Sequence, residues 1–154
     1  PKPVRVSGVS RTNFAKGHKI PACWGEWDRN LFSVEDFAAG YVHFDNGASL
    51  ILESSWLGHQ VETEDVGAQL FGQNGGVKWP TGEFSTVQGG AFVQGTITNP
   101  TPVETPFASE MQAFVDAVAN KSGSPVPWTE TIKVIAILEG IYASQEQGRE
   151  IVLS

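Results

Sequence analysis

An α+β fold is predicted for this chain of 154 residues: an open-faced, predominantly antiparallel β-sheet with two C-terminal helices packed on one face. Three observations predict it. Short segments of alternating apolar and polar residues recur from residue 3 to residue 98, punctuated by turn residues that include most of the 17 glycines. Two stretches of helical periodicity follow, at 106–121 and 129–147. Two helices are also too few to cover both faces of such a sheet, so one face must stay open. The length suits one domain spanning residues 1–154.

The elements follow in order. Residues 3–12 alternate as a strand, with Val4, Val6 and Gly8 on one side. Residues 13–34 have no periodicity and mix Gly, Pro, Trp and charge; loops of this length in compact domains are usually functional or disordered, and Trp24 and Trp27 argue for order. A hairpin occupies 36–56. Strands are predicted at 65–73, in "GGVKW" and "EFSTVQ" on either side of Pro80-Thr81-Gly82, and at 91–98. The Pro-rich stretch 99–106 marks the change to helices. The first helix has Thr105 as N-cap and Pro106 at its first position. Its apolar stripe is Phe107, Met111, Phe114, Val115 and Val118, and Lys121 and Gly123 end it. The second is expected to be capped by Thr129 and stopped by Gly148, with residues 149–153 returning as a strand.

The hairpin "EDFAAGYVHFDNGASLILESSW" admits two registers. A two-residue Asn46-Gly47 turn places Glu53, Ser49 and Ser55 beside Val42 and Phe44. A turn with Gly47 as a left-handed bulge residue pairs Val42 with Leu50 and Gly40 with Leu52, and sorts the side chains cleanly. One face then carries Ala38, Gly40, Val42, Phe44, Ala48, Leu50, Leu52, Ser54 and Trp56, and is the core face. The other carries Phe37, Ala39, Tyr41, His43, Ser49, Ile51, Glu53 and Ser55. Phe37, Tyr41, His43, Ile51 and Glu53 make it too apolar for plain surface and too polar for a sealed core, as an interface would be.

Composition excludes several functions. A net charge of −7 without a basic run argues against a nucleic-acid partner. No apolar run approaches the roughly 18 residues of a membrane span. Cys23 is the only cysteine, so no internal disulfide forms and a cytoplasmic location is expected. The chain opens at Pro1, its one methionine is Met111, and a strand begins almost at once; it reads as a piece of a longer protein. "GQNGG" at 72–76 has strand pattern on both sides and reads as a turn, because a phosphate loop needs a following helix. His18, Cys23, His43 and His59 match no zinc spacing. Cys23 has no histidine base tied to it by spacing, and Ser54 and Ser55 lie inside a strand rather than on a nucleophile turn. Glu26 and Asp28 flank Trp27 in a way that suits a sugar, whose apolar face stacks on a ring while its hydroxyls bond carboxylates; the simpler reading is a loop whose tryptophans pack inward.

Taken together, "VEDFAAGYVHFDNGASLILESSW", "FGQNGGV" and "SEMQAFVDAVANKSGSPVPWTETIKVIAILEGIYASQEQGREIVL" resemble the C-terminal domain of the Gfo/Idh/MocA oxidoreductases, relatives of glucose–fructose oxidoreductase and inositol dehydrogenase. The resemblance implies a parent with an N-terminal Rossmann domain that binds NAD or NADP, a cofactor this chain alone does not hold. It implies a substrate-binding and oligomerisation role for this domain, with a sugar, cyclitol or related polyol as substrate and a homo-oligomer formed through the open face. The family's Glu-Lys-Pro motif is absent, so no catalytic residue carries over and the chain alone is expected to be inactive. By neighbourhood, Trp24 and Trp27 of the long loop and His59 and Gln60 of the segment after Trp56 are the candidate substrate-binding residues. The alternative function is a non-catalytic carbohydrate-binding or scaffold domain.

Overall fold

A computed structural model describes residues 1–17, 25–62, 64–98 and 105–153. The strands are β1 (Pro3–Arg11), β2 (Phe37–Phe44), β3 (Ser49–Ser55), β4 (Ala68–Gly72), β5 (Gly75–Trp79), β6 (Glu83–Gln88), β7 (Ala91–Thr96) and β8 (Ile151–Val152). The helices are α1 (Pro106–Ala119) and α2 (Trp128–Gln147). The class is α+β as predicted, and the ladders are antiparallel. The strands form two four-stranded sheets, ordered β3-β2-β1-β8 and β4-β5-β6-β7. They lie in two compact units, one made of Pro1–His59 with Asp116–Ser154 and the other of Gln60–Val115. No helix among the described residues is long and apolar enough to cross a membrane.

In the first unit the bulged register of the β2–β3 hairpin is the one observed. Val42 faces Leu50 and Gly40 faces Leu52. The Phe44 N–H donates to the Ala48 carbonyl at 3.0 Å, and Gly47 sits at φ 84°. The core is Val6 and Val42 from the sheet against Ile137 and Ile141 from α2, with Phe44, Leu52, Ile151 and Leu153 packed around it. The helix comes close because glycines let it. Gly8 and Gly40 face each other across β1 and β2, and a Cβ on either would lie within 3 Å of Ile141. A Cβ on Gly140 would overlap Val6 and sit 2.9 Å from Leu153. The Ser144 hydroxyl, buried on α2, accepts from the Gly8 N–H at 3.0 Å and donates to the Arg149 carbonyl at 2.8 Å.

Helix ends depart from expectation in two places. The N-cap of α2 is Pro127, extended at φ −62° and ψ 141° with no side-chain cap, and Thr129 lies inside the helix. Proline supplies the non-helical entry through its fixed φ. Gly148 does stop α2, in the left-handed region with its N–H on the Ser144 carbonyl. α1 begins as expected, with the Thr105 hydroxyl accepting from the Ala108 N–H at 3.4 Å. It ends at Ala119, with Lys121 of the two expected stop residues taking the left-handed conformation at φ 50° and Gly123 playing no part in the cap. None of its residues is buried, so the helix covering the first sheet is α2.

The second unit is a four-stranded meander. Residues 72–76 form the two-residue turn between β4 and β5, as the sequence implied. One face carries the row Leu70, Val77, Phe84 and Gly95; the other carries Phe71, Gly76, Ser85 and Gln94.

Candidate functional site

The long loop that leads from β1 to β2 is closed at its base by one side chain. Asp36, 1% exposed at the foot of β2, accepts the N–H of Asn13 at 3.0 Å on one carboxylate oxygen, and those of Phe14 and Ala15 at 2.8 and 2.7 Å on the other. Its own N–H donates to the Arg11 carbonyl at 2.9 Å. Nearby, the Thr12 hydroxyl donates to the Val34 carbonyl at 3.0 Å. Three peptide N–H groups converging on an anion form a nest, and hydrogen bonds to a charged acceptor are the strong ones. Asp36 was not singled out in the sequence. The signal available was an acidic residue at the junction of a long loop and an apolar strand.

The loop in turn places an aromatic cluster. The Trp27 indole N–H donates to the Ala15 carbonyl at 3.1 Å. Ring centroids of Trp27 lie 5.8 Å from Phe32 and 6.2 Å from Trp56, and Phe32 stacks on Trp56 at 5.8 Å. The Trp56 indole N–H donates to the Glu35 carbonyl at 3.0 Å. Trp27 is therefore half-buried against other rings, as the inward-packing reading holds, with one carboxylate neighbour, Asp28, turned onto the Asn30 N–H. Trp24, His18 and Cys23 lie outside the described residues. His59 and Gln60 are both exposed, one in each compact unit. His59 lies three residues beyond Trp56 in the chain, and Gln60 opens the second unit.

Behind the cluster is a crevice of about 180 Å³ between α2 and the β2–β3 strands, lined by Trp56, Leu52, Ala38, Leu138, Ile141 and Tyr142 among others. At its mouth the Tyr142 hydroxyl donates to a Glu35 carboxylate oxygen at 2.6 Å. That bond, reinforced by burial and by the charge of Glu35, raises the Tyr142 pKa above the usual phenol value.

The opposite face of the first sheet is open and mixed. Arg5, Ser7, Val9 and Arg11 of β1 stand opposite His43, Tyr41, Ala39 and Phe37 of β2. The last three of these stand opposite Ile51, Glu53 and Ser55 of β3, and His43 opposite Ser49. Tyr41 is 41% exposed and Ile51 80%, whereas Val42, between them in sequence but on the core face, is 0%. Tyr41 donates to the Ser49 hydroxyl at 3.0 Å and meets the His43 ring edge-on at 4.7 Å. Glu150 reaches Arg5 at 3.4 Å and the His43 Nε2 at 3.7 Å. A shallow depression of about 690 Å³ is lined by Ser7, Ala39 and Ile51 of this face together with Gly8, Leu52 and Ser144 of the helix side. No group of three or more potential metal ligands occurs among the described residues.

Comparison with known proteins bears on this arrangement. The model of an oxidoreductase family's C-terminal alpha/beta domain matches residues 6–153. Among solved structures, an oxidoreductase domain protein from Kribbella flavida superposes with a TM-score of 0.73 at 14% identity, covering 99% of this chain and 46% of that one. A levoglucosan dehydrogenase in complex with NADH and L-sorbose gives 0.72 at 17%, covering 99% and 45%. The aldose–aldose oxidoreductase from Caulobacter crescentus, complexed with glycerol, gives 0.68 at 17%, covering 99% and 42%. At these identities the likeness shows the fold, and the chain spans less than half the length of each. No match was found among curated protein sequences.

Proposed function

The chain belongs to the Gfo/Idh/MocA oxidoreductases as their C-terminal alpha/beta domain, and from that premise we propose that it is the substrate-binding and oligomerisation domain of an NAD(P)-dependent enzyme acting on a sugar, cyclitol or related polyol. One observation carries the reading: a clasped loop that presents Trp27 with Phe32 and Trp56 as a half-exposed aromatic wall. Such a wall suits the apolar face of a polyol, and neighbouring polar groups suit its hydroxyls. Solved relatives of the fold were obtained with L-sorbose and glycerol.

Transfer of a hydride between a substrate carbon and nicotinamide is supplied by NAD or NADP on an N-terminal Rossmann domain. The residues of this chain bind and orient the polyol, exclude water from one side of it, and so hold the reacting carbon in position. The open face, with Phe37, Tyr41, His43, Ile51 and Glu53, meets a second copy, and the assembly is cytoplasmic.

The test is turnover. The intact protein, with a strand-GxGxxG-helix and a Glu-Lys-Pro motif upstream of residue 1, is expected to reduce NAD or NADP with one of levoglucosan, L-sorbose, D-glucose or myo-inositol. Residues 1–154 alone are expected to reduce neither. No turnover of any of the four, with sugar still bound, would favour a carbohydrate-binding domain without catalysis.

A further inference from the structure

We propose that Asp36 is a positioning residue for the substrate, acting through the two segments that border it; this rests on the reading that the Trp27 loop and the segment around His59 face the polyol. Asp36 is buried and lies outside the apolar core of Val6, Val42, Ile137 and Ile141. Its carboxylate holds the loop at Asn13, Phe14 and Ala15. From Ala15 the connection continues through the carbonyl that accepts the Trp27 indole N–H. Its backbone carbonyl works in the other direction: it accepts the Ser55 hydroxyl at 2.8 Å, and the same hydroxyl oxygen accepts the Gly58 N–H at 2.9 Å. Gly58 adjoins His59. One residue therefore tethers both segments, one through its side chain and one through its main chain. Neither tether requires Asp36 to touch substrate.

The chemistry of the tether makes it specific to a carboxylate. Both oxygens are used as acceptors by N–H groups, and an amide at this position would turn an NH₂ toward at least one of them. The loop would lose its base while the core kept its contacts. Substrate would then meet a wall that has to be ordered on binding, which weakens binding and leaves the chemical step alone.

The experiment is Asp36→Asn in the intact two-domain protein, read two ways. Hydrogen exchange of the Phe14 and Ala15 amides is expected to rise roughly tenfold or more, with the Val6 and Val42 amides unchanged. The KM for whichever of levoglucosan, L-sorbose, D-glucose and myo-inositol is turned over is expected to rise roughly tenfold, with kcat within about twofold. Released loop amides with an unchanged KM would overturn the proposal, as would core amides released equally with the loop. If Asp36→Asn does not fold, Ser55→Ala releases only the second tether. It is expected to raise KM about two- to fivefold, and an unchanged KM overturns the proposal. Trp27→Ala separates the two levels. If it raises KM and Asp36→Asn does not, the positioning role fails. If neither does, or if none of the four probes is turned over, the reading of the loop as substrate-facing fails.

Discussion

Gly47 holds φ at 84°, a left-handed value that costs an ordinary L-residue roughly 1–2 kcal/mol. A Cβ there would meet nothing within 4 Å, so Gly47→Ala is expected to cost about 1 kcal/mol through backbone strain alone. Gly140 is the opposite case. Alanine in mid-helix would normally gain about 0.5–1 kcal/mol over glycine, but here its Cβ overlaps Val6. Gly140→Ala is therefore expected to destabilise by about 1–3 kcal/mol, more than Gly47→Ala, in urea unfolding of the two variants side by side. Tyr142 offers a titration. Its hydrogen bond to Glu35 favours the protonated phenol and raises the pKa above 10. The bond's contribution is thus complete below pH 10 and fades as pH rises through the folded value. Tyrosinate absorbance should show Tyr142 ionising late, and Glu35→Gln should bring it back toward the ordinary range. Gly47 was legible because only one register sorted its neighbours. Asp36 was not: its partners lie 21 to 23 residues away, and nothing local marks a carboxylate as the closure of a loop.

Elements were read well where a period exists. All eight strands and both helices fall within a few residues of their predicted places, because alternation and helical spacing are local. Pairing between elements distant in sequence is not local, and the alternation of a strand names its faces without naming its neighbours. Division into two sheets was invisible for that reason. So was the exposure of the α1 stripe, which has the right spacing and no buried residue. Thr129 looked like a cap because threonine usually is one; Pro127 already supplied the turn into α2. The contact of α2 with the sheet gives an element-scale prediction. Ser144→Ala removes the acceptor of the Gly8 N–H and the donor to Arg149. Loss of a part-buried partner of this kind costs about 1–3 kcal/mol, which a thermal melt would register as a lower Tm.

For the molecule as a whole, the open face and the core face of one sheet make opposite forecasts. Ile51→Asp changes a residue that is 80% exposed, and such changes usually alter stability by no more than about 0.5 kcal/mol. It is expected to shift the sedimentation of the intact protein toward smaller species while leaving its melting curve in place. Val42→Asp, on the other face of the same sheet, is expected to unfold the first unit instead. The family-scale fold was legible from the order of hairpin, turn and terminal helix. The aromatic wall was legible only in part, since Trp27 announced itself, while Phe32 and Trp56 joined it through tertiary contacts. The pairing of β8 with β1 joins segments far apart in the chain. Val6 finds its cover in Ile137 and Ile141, so β1 must wait for residues made about 130 positions later in the chain. Residues 60–115 are one continuous stretch with local hairpins, free to form while the earlier sheet has its apolar side bare. During synthesis that side stays uncovered until α2 emerges and takes its place.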